Sequence, residues 1–151
     1  MLAYLILSAT MNNATTLYVD PPTTKRAVGQ YFNINITISR VADLFGCQFQ
    51  LSWNQAILNA TNVTEGPFLE WGGNSPYFYQ KINETGLLSF CTRSGNVTGV
   101  SGSGVLETIQ FHVTGTGECD LHLYGTILVN LLLNGSERSI GHIVESGEFS
   151  T

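Results

Sequence analysis

The most frequent chemical signal in this sequence is the tripeptide Asn-x-Ser/Thr, the acceptor for N-linked sugars in secreted proteins. It occurs seven times in 151 residues, whereas chance placement of the same residue types would give about two. No copy has proline in the middle position, so every copy fits the acceptor pattern. The predicted glycosylation sites are Asn13, Asn35, Asn59, Asn62, Asn83, Asn96 and Asn134.

The charge composition points to a secreted protein that keeps its surface soluble with sugar. Charged residues make up 11% of the chain, well below the roughly 25% of a typical soluble domain. We therefore expect a glycan coat to replace the missing charge, and an extracellular, cell-surface location. The net charge is −5, and Lys25 and Arg26 are the one adjacent basic pair. The sequence therefore excludes a nucleic-acid-binding protein, which needs a basic stripe.

Side chains that often carry out catalysis do not fall into a catalytic pattern. His112, His122 and His142 lie on separate predicted strands without the spacing of metal ligands. The segment around Ser103 is shorter than a Gly-x-Ser-x-Gly nucleophile elbow. The Gly/Ser stretch Gly95–Gly104 lacks the Gly-Lys-Ser/Thr ending of a phosphate loop. We predict that the protein is not an enzyme and has neither a cofactor nor a metal site.

The cysteines favour an oxidising compartment over a metal site. Cys47, Cys91 and Cys119 are widely spaced and form no Cys-x-x-Cys motif, so a zinc cluster is excluded. A secreted protein with three cysteines is expected to form one disulfide and keep one free thiol. Sequence alone leaves all three pairings open, together with the alternative that all three thiols are free.

Aromatic residues in the middle of the chain are candidates for a binding platform. Trp53, Trp71 and the segment Tyr77–Tyr79 are rich in the side chains that stack on sugar rings or on a neighbouring protein. Trp53 alternates with the outward-facing Ser52, so we expect it to pack in the core. Trp71 lies in a glycine-flanked loop and is the stronger candidate for stacking, with simple loop packing as the alternative.

The elements that must position these residues are β-strands. Apolar and polar residues alternate with a period of two between turn signals, which is typical of a two-sheet sandwich. In Tyr31–Ile38 the alternation directs Asn35 away from the core. No segment keeps a helical period over ten residues. We predict an all-β jelly-roll or Greek-key sandwich of about nine strands over residues 15–151, preceded by an extension strand in residues 1–14.

The first ten residues are apolar and too short for a membrane-spanning helix, which needs about 20 residues. Both faces of the predicted strand are apolar, as expected for a strand that is buried on two sides. The alternatives are the end of a signal peptide and a strand that folds back on its own domain. The predicted assembly residues are Leu2, Tyr4, Leu5, Ile6 and Leu7.

Several segments resemble, in order, the cohesin-like domains of archaeal cell-surface glycoproteins. They are V-D-P-P at Val19–Pro22, A-V-G-Q-Y-F-N-I-N-I-T-I at Ala27–Ile38 and D-L-F-G-C-Q-F-Q-L-S-W-N at Asp43–Asn54. The most distinctive one is G-N-V-T-G-V-S-G-S-G-V-L-E-T-I-Q-F at Gly95–Phe111. The sequence departs from the family at Gln55, where such modules usually have proline.

The resemblance implies a jelly roll, similar also to carbohydrate-binding modules, whose flat sheet face or strand edges bind protein partners. No dockerin-contact motif can be placed residue by residue. A calcium ion held by loop carbonyls with Asp20, Asp43 or Asp120 stays an open alternative.

Two functions are consistent with these features. The first is a structural glycoprotein that polymerises at the archaeal cell surface into a filament, pilus-like fibre or sheath. In that case residues 1–10 are donated to the sheet of a neighbouring copy. The second is a recognition module that binds a dockerin-like protein or a surface polysaccharide.

Overall fold

The structure is a computed structural model that describes residues 13–73, 75–95, 98–131 and 137–151, without the side chains of residues 71–73. The predicted assembly strand, with Leu2, Tyr4, Leu5, Ile6 and Leu7, lies outside the described residues. So do the predicted glycosylation sites Asn96 and Asn134. The domain boundary proposed at residue 14 is therefore not tested.

Twelve strand segments and one short 3-10 helix make up the described chain, and three of the strands are only three residues long. The alternating apolar residues of the long strands explain them, because one side of each strand is buried. The strands are β1 Thr16–Asp20, β2 Thr23–Lys25, β3 Tyr31–Leu44, β4 Gly46–Ser52, β5 Leu58–Glu65, β6 Tyr77–Asn83, β7 Gly86–Thr92, β8 Val100–Val113, β9 Glu118–Leu131, β10 Glu137–Ser139, β11 Ile143–Glu145 and β12 Gly147–Ser150, and the 3-10 helix is Phe68–Gly73.

The strands form two sheets that pack face to face. The five-stranded sheet has the order β11-β1-β3-β8-β5, and the larger sheet has the order β2-β12-β9-β4-β7-β6 with β10 paired to β9. Strands that are distant in sequence, such as β3 and β8, are neighbours, as a sandwich with crossing connections requires. The prediction of an all-β jelly-roll sandwich is confirmed.

The core lies between the sheets and consists of the inward side chains of both. Phe32 stacks on Phe111 and on Phe149, and the Trp53 ring meets Phe111 edge to face at 5.0 Å. The Trp53 indole N–H donates to the carbonyl of Leu58 at 3.2 Å. Trp53 is therefore a core residue with its polar atom satisfied, as the alternation predicts.

The Gly/Ser stretch is not entirely a loop, because β8 begins at Val100. Its pairing with β3 is interrupted by bulges, where Arg40 and Asp43 have positive φ angles of 56° and 59°. The Ser103 hydroxyl accepts a hydrogen bond from the Arg40 backbone N–H, and the Ser101 hydroxyl accepts one from that of Asp43. Serine side chains thus replace ladder bonds that the bulges disrupt.

Strand β9 contains a bulge between Tyr124 and Ile127. Gln48 of β4 pairs with Ile127, and Gln50 pairs with Tyr124, so two steps on β4 match three on β9. Gly125 absorbs the extra residue with a φ of 60°. The bulge keeps Tyr124 and Ile127 on the same side of the sheet.

Candidate partner-binding face

The outer side of the larger sheet carries large apolar residues on β6, β7 and β9, in a row that crosses the polar Gln48 of β4. Tyr79 on β6 pairs with Phe90 on β7, which pairs with Gln48 on β4 and through it with Ile127 on β9. Residues that pair across strands point to the same side of a sheet. Tyr77 and Leu88 lie on the same side one row away. We call Tyr77, Tyr79, Leu88, Phe90 and Ile127 the aromatic face.

Four residues of the aromatic face are too exposed to belong to the domain core. Tyr77 is 58% exposed, Tyr79 and Ile127 are each 46% exposed, and Phe90 is 41% exposed. A contiguous group of large apolar side chains in water is the usual mark of an interaction site. Aromatic residues are also the side chains most enriched in the centre of protein interfaces.

A shallow depression of about 170 Å³ lies beside Phe90 and Ile127 on this face, with Gly46 at its floor. A Cβ atom at Gly46 would come within 3.2 Å of the Cys91 carbonyl oxygen and of a Val129 methyl group. The absence of a side chain at Gly46 therefore keeps the depression open. It has the size for one apolar side chain of a partner.

A disulfide stiffens the middle of this sheet. Cys47 on β4 and Cys91 on β7 are direct cross-strand partners with Cα atoms 5.1 Å apart, and their sulfurs are bonded. Cys119 keeps a free, half-buried thiol. Of the three pairings that the sequence left open, the structure has the one that joins the two central strands of the aromatic face.

A buried polar cluster ties the β6–β7 hairpin to the opposite sheet. Glu107 on β8 is fully buried, and its carboxylate accepts hydrogen bonds from the Ser89 hydroxyl on β7 and from the Gln80 amide on β6 at 2.6 Å. Burial raises the pKa of the Glu107 carboxyl to about 7, against the opposing effect of the two hydrogen bonds. Repulsion from Glu65 adds to the rise.

Histidines and aspartates considered as ligands do not come together. His112 stacks on Tyr31 with ring centroids 4.4 Å apart, His122 stacks on Tyr124, and the His142 ring bonds to the Ile140 carbonyl and the Thr126 hydroxyl. Within the described residues, no three His, Cys, Asp or Glu side chains are grouped to hold a metal ion. Asp20, Asp43 and Asp120, the aspartates considered as calcium ligands, lie at separate positions, and each is exposed.

The aromatic platform expected from the sequence is only partly assembled. Tyr77 and Tyr79 meet on the outer surface, whereas Phe78 between them packs against the core and Trp53 is buried. The Trp71 side chain lies outside the described residues, so its stacking role is not tested. Phe90 and Ile127 complete the surface. Strand alternation places both outside, but only the pairing of non-adjacent strands brings them together.

The described sequon asparagines are spread over both sheets. Asn59 and Asn62 are exposed on β5, Asn35 is half-buried on β3, and Asn13 is exposed before β1. Asn83 is exposed where β6 ends, and its side-chain oxygen accepts hydrogen bonds from the Thr85 backbone and hydroxyl. None of these five asparagines belongs to the aromatic face.

Sequence reasoning missed Leu88, Phe90 and Ile127 of the aromatic face, and it also missed the buried Glu107. The alternation of Ile109, Phe111 and Val113 marks the buried side of β8, and Glu107 has the same parity. A carboxylate in that pattern signals a buried polar cluster, because such a group is rarely buried without hydrogen-bond partners.

Comparison with known proteins identifies the same region of the chain. Residues 17–129 match the family model of the cohesin domain. This range includes the whole of β4, β6 and β7 and almost all of β1 and β9. No curated protein sequence matches the chain.

Solved structures of cohesins have the same fold. A non-cellulosomal cohesin from the archaeon Archaeoglobus fulgidus superposes with a TM-score of 0.71 at 20% identity, covering 90% of this chain and 89% of that one. The seventh ScaB type I cohesin from Pseudobacteroides cellulosolvens gives 0.73 at 22% identity, with 91% of each chain covered. The sixth scaffoldin B cohesin of Acetivibrio cellulolyticus, solved in complex with a Cel5 dockerin, gives 0.72 at 14% identity, with 91% of this chain and 98% of that one covered.

Among residues 13–73, 75–95, 98–131 and 137–151, no helix has both the length and the apolar character to cross a bilayer.

Proposed function

Because the chain belongs to the cohesin family, a family of non-catalytic protein-binding modules, we propose that it binds a dockerin-like protein through its aromatic face. The observation that carries the proposal is the row of exposed apolar side chains on β6, β7 and β9, with Gln48 of β4 between Phe90 and Ile127. Such a row costs solubility in a chain with few charges, so a partner that covers it would recover free energy.

The shape of the aromatic face suits a preformed binding surface. The four-stranded region presents a broad surface, and the Cys47–Cys91 disulfide and the Glu107 cluster both restrain it from its inner side. A rigid surface loses little conformational entropy on binding. The depression over Gly46 would take an apolar anchor residue of the partner, with Glu137 at its rim.

The proposal extends to an extracellular or cell-surface location. A disulfide between core strands and an excess of sequons both support an oxidising compartment. The low charge content is also typical of a protein whose solubility comes from attached sugar.

Paired tyrosine substitutions test the proposed face. Tyr77 on the aromatic face is 58% exposed and Tyr31 on the opposite sheet is 56% exposed, so Tyr77→Asp and Tyr31→Asp make nearly matched surface changes. Binding of the full chain to an array of recombinant dockerin domains is measured by biolayer interferometry. We expect Tyr77→Asp to weaken binding by about 30-fold or more, the loss typical of an interface hot spot, and Tyr31→Asp to weaken it less than twofold.

Equal losses in the two variants, or an unchanged affinity in Tyr77→Asp, would contradict the assignment of the face. Circular dichroism of both variants confirms that each retains the fold. An array on which no dockerin binds the wild-type chain would reject the dockerin-like partner itself.

Self-assembly is the second candidate, and a free strand edge favours it. Among the described strands, β6 pairs on one side only, over seven residues, and exposes Tyr77, Tyr79 and Ile82. An apolar strand from residues 1–10 of a neighbouring copy would add to this edge by β-augmentation. The competing edge strand of comparable length, β5, carries two sequons within the strand, at Asn59 and Asn62, whereas β6 carries one at its last residue, Asn83. Sugars within β5 would hinder a partner along that edge.

Deleting residues 1–10 tests strand donation. The full chain is expected to form filaments under the electron microscope, and the truncated chain is expected to stay monomeric in size-exclusion chromatography. The double variant Leu5→Asp/Leu7→Asp is the control that keeps chain length, and it should also abolish filaments. Filaments formed by the truncated chain would refute the second candidate and leave the first untouched.

A further inference from the structure

Three sequon asparagines lie together on the outer side of the five-stranded sheet. Asn35 pairs with Thr108, Asn62 pairs with Gln110, and Asn59 pairs with His112. Thr108, Gln110 and His112 alternate along β8, so they share one side of the sheet, and their partners share it too. The asparagines therefore occupy three successive rows of one surface.

A bulge in β5 is what brings two of these asparagines to the same side. Asn59 and Asn62 are three residues apart, and in a regular strand they would point to opposite sides. The register shifts between Ala60 and Asn62, so that Thr61 is the extra residue. The Thr61 hydroxyl donates to the Gln110 carbonyl and side chain at 3.2 Å and 3.0 Å, which fixes the bulge.

The spacing of the three asparagines leaves room for separate sugars. Adjacent rows of a strand are about 7 Å apart and adjacent strands about 4.8 Å apart. Asn35 on β3 and Asn62 on β5 are therefore roughly 12 Å apart, across β8. Sugars at these positions would cover the centre and one edge of the five-stranded sheet and leave the aromatic face bare.

The sequons differ in how accessible the folded chain leaves them. On the edge strand β5, Asn59, Asn62, Thr61 and Thr64 are all exposed. On the central strand β3, Asn35 is half-buried, and its side-chain oxygen accepts a 2.8 Å hydrogen bond from the Thr108 hydroxyl.

The threonine of the Asn35 sequon is less accessible still. Thr37 is 8% exposed, and its buried hydroxyl has no hydrogen-bond partner among the described residues. Strands β1 and β8 pair with β3 on its two sides along this tripeptide. An enzyme that must grip an Asn-x-Thr tripeptide would have to remove it from the middle of a sheet.

We propose that the outer side of the five-stranded sheet is the glycosylated face of this protein, with Asn59 and Asn62 modified on the folded domain and Asn35 modified only before β3 enters the sheet. The side-chain amide nitrogen forms a bond to the anomeric carbon of the sugar and loses one proton. The bond between sugar and phosphate in a lipid diphosphate-linked oligosaccharide breaks, and the lipid diphosphate leaves with the electron pair.

The timing is tested on unglycosylated full chain from a host that lacks the pathway. Two samples are prepared, one folded and one unfolded in urea and then diluted. Each is incubated with a purified oligosaccharyltransferase and its lipid-linked oligosaccharide. Occupancy at each site is measured by mass spectrometry of glycopeptides. The folded chain should be modified at Asn59 and Asn62 at least tenfold more than at Asn35, and the unfolded chain at all three.

The variant Thr37→Val removes the Asn35 acceptor without changing the asparagine, and so verifies the assignment of its glycopeptide. Equal modification of Asn35 and Asn59 in the folded chain would overturn the timing. If Asn59 and Asn62 carry no sugar in either sample, the proposal of a glycosylated face is overturned. Neither result bears on partner binding by the aromatic face, which lies on the other sheet.

Discussion

Replacing Glu107 with glutamine should stabilise the protein at neutral and alkaline pH. The Glu107 carboxyl is buried between the sheets, and its pKa rises from 4.5 to about 7 because burial disfavours the charge. Glutamine keeps the shape and can still accept from the Gln80 amide and donate to the Ser89 hydroxyl. It removes only the charge.

The magnitude follows from proton linkage. Between pH 4.5 and about 7 the folded chain holds a proton at Glu107 that the unfolded chain has lost, so the Glu107 contribution to stability falls as the pH rises. A rise in pKa from 4.5 to about 7 corresponds to about 3 kcal/mol, because one unit is 1.36 kcal/mol. The full loss of folding free energy is reached above pH 7. Below pH 4.5 the Glu107 carboxyl is neutral in both the folded and the unfolded chain, so no stability is lost.

Urea unfolding of wild type and Glu107→Gln, followed by tryptophan fluorescence from pH 4 to pH 8.5, measures this difference. Glu107→Gln should be more stable than wild type by about 3 kcal/mol at pH 8 and equal to it near pH 4. The control Glu148→Gln, at an exposed position on β12, should parallel wild type throughout. A stability difference between Glu107→Gln and wild type that does not change with pH would refute the reasoning.

Three further changes have defined outcomes. The double variant Cys47→Ser/Cys91→Ser opens a loop with a sequence separation of 44. It should lower the free energy of unfolding by about 4 kcal/mol in the chain-entropy estimate, which a lower urea midpoint would show. A midpoint equal to that of the oxidised wild type would contradict this prediction. Gly86→Ala should destabilise the fold by about 2 kcal/mol or more, because Gly86 has a φ of 132° and a Cβ atom there would collide with the Leu51 carbonyl. The control Gly141→Ala, with open space around the new Cβ atom, should destabilise it little. Thermal melting measures both variants. Thr37→Val removes a buried hydroxyl that lacks a partner among the described residues and should raise stability by about 1 kcal/mol, and a lower melting temperature would count against this.

Much of the fold is predictable because alternation is a local property of a strand. The pattern in β3 and β4 identifies which residues face the core, and the core contains Ile34, Ile36, Phe49 and Leu51 accordingly. The family resemblance also supplies the jelly-roll arrangement. The order of strands in the two sheets depends instead on long-range pairing, which no single strand encodes.

Bulges explain where the sequence patterns mislead. The extra residues in β3, β5 and β9 change which side of a sheet a residue faces, and one bulge puts Asn59 and Asn62 on one side. Local spacing would separate these two asparagines. The aromatic face is hidden for a related reason, since Tyr79, Phe90 and Ile127 meet only across strands that are far apart in sequence.

Chemical-shift mapping of a bound dockerin domain by NMR tests the central claim most directly. The resonances that should shift are those of the backbone amides and methyl groups of the aromatic face and of the depression over Gly46. These groups lie on β6, β7, β4 and β9. Residues of the outer side of the five-stranded sheet, such as Asn62 and Gln110, should remain unshifted. Shifts concentrated on the five-stranded sheet, with Phe90 and Ile127 unaffected, would contradict the proposed binding face.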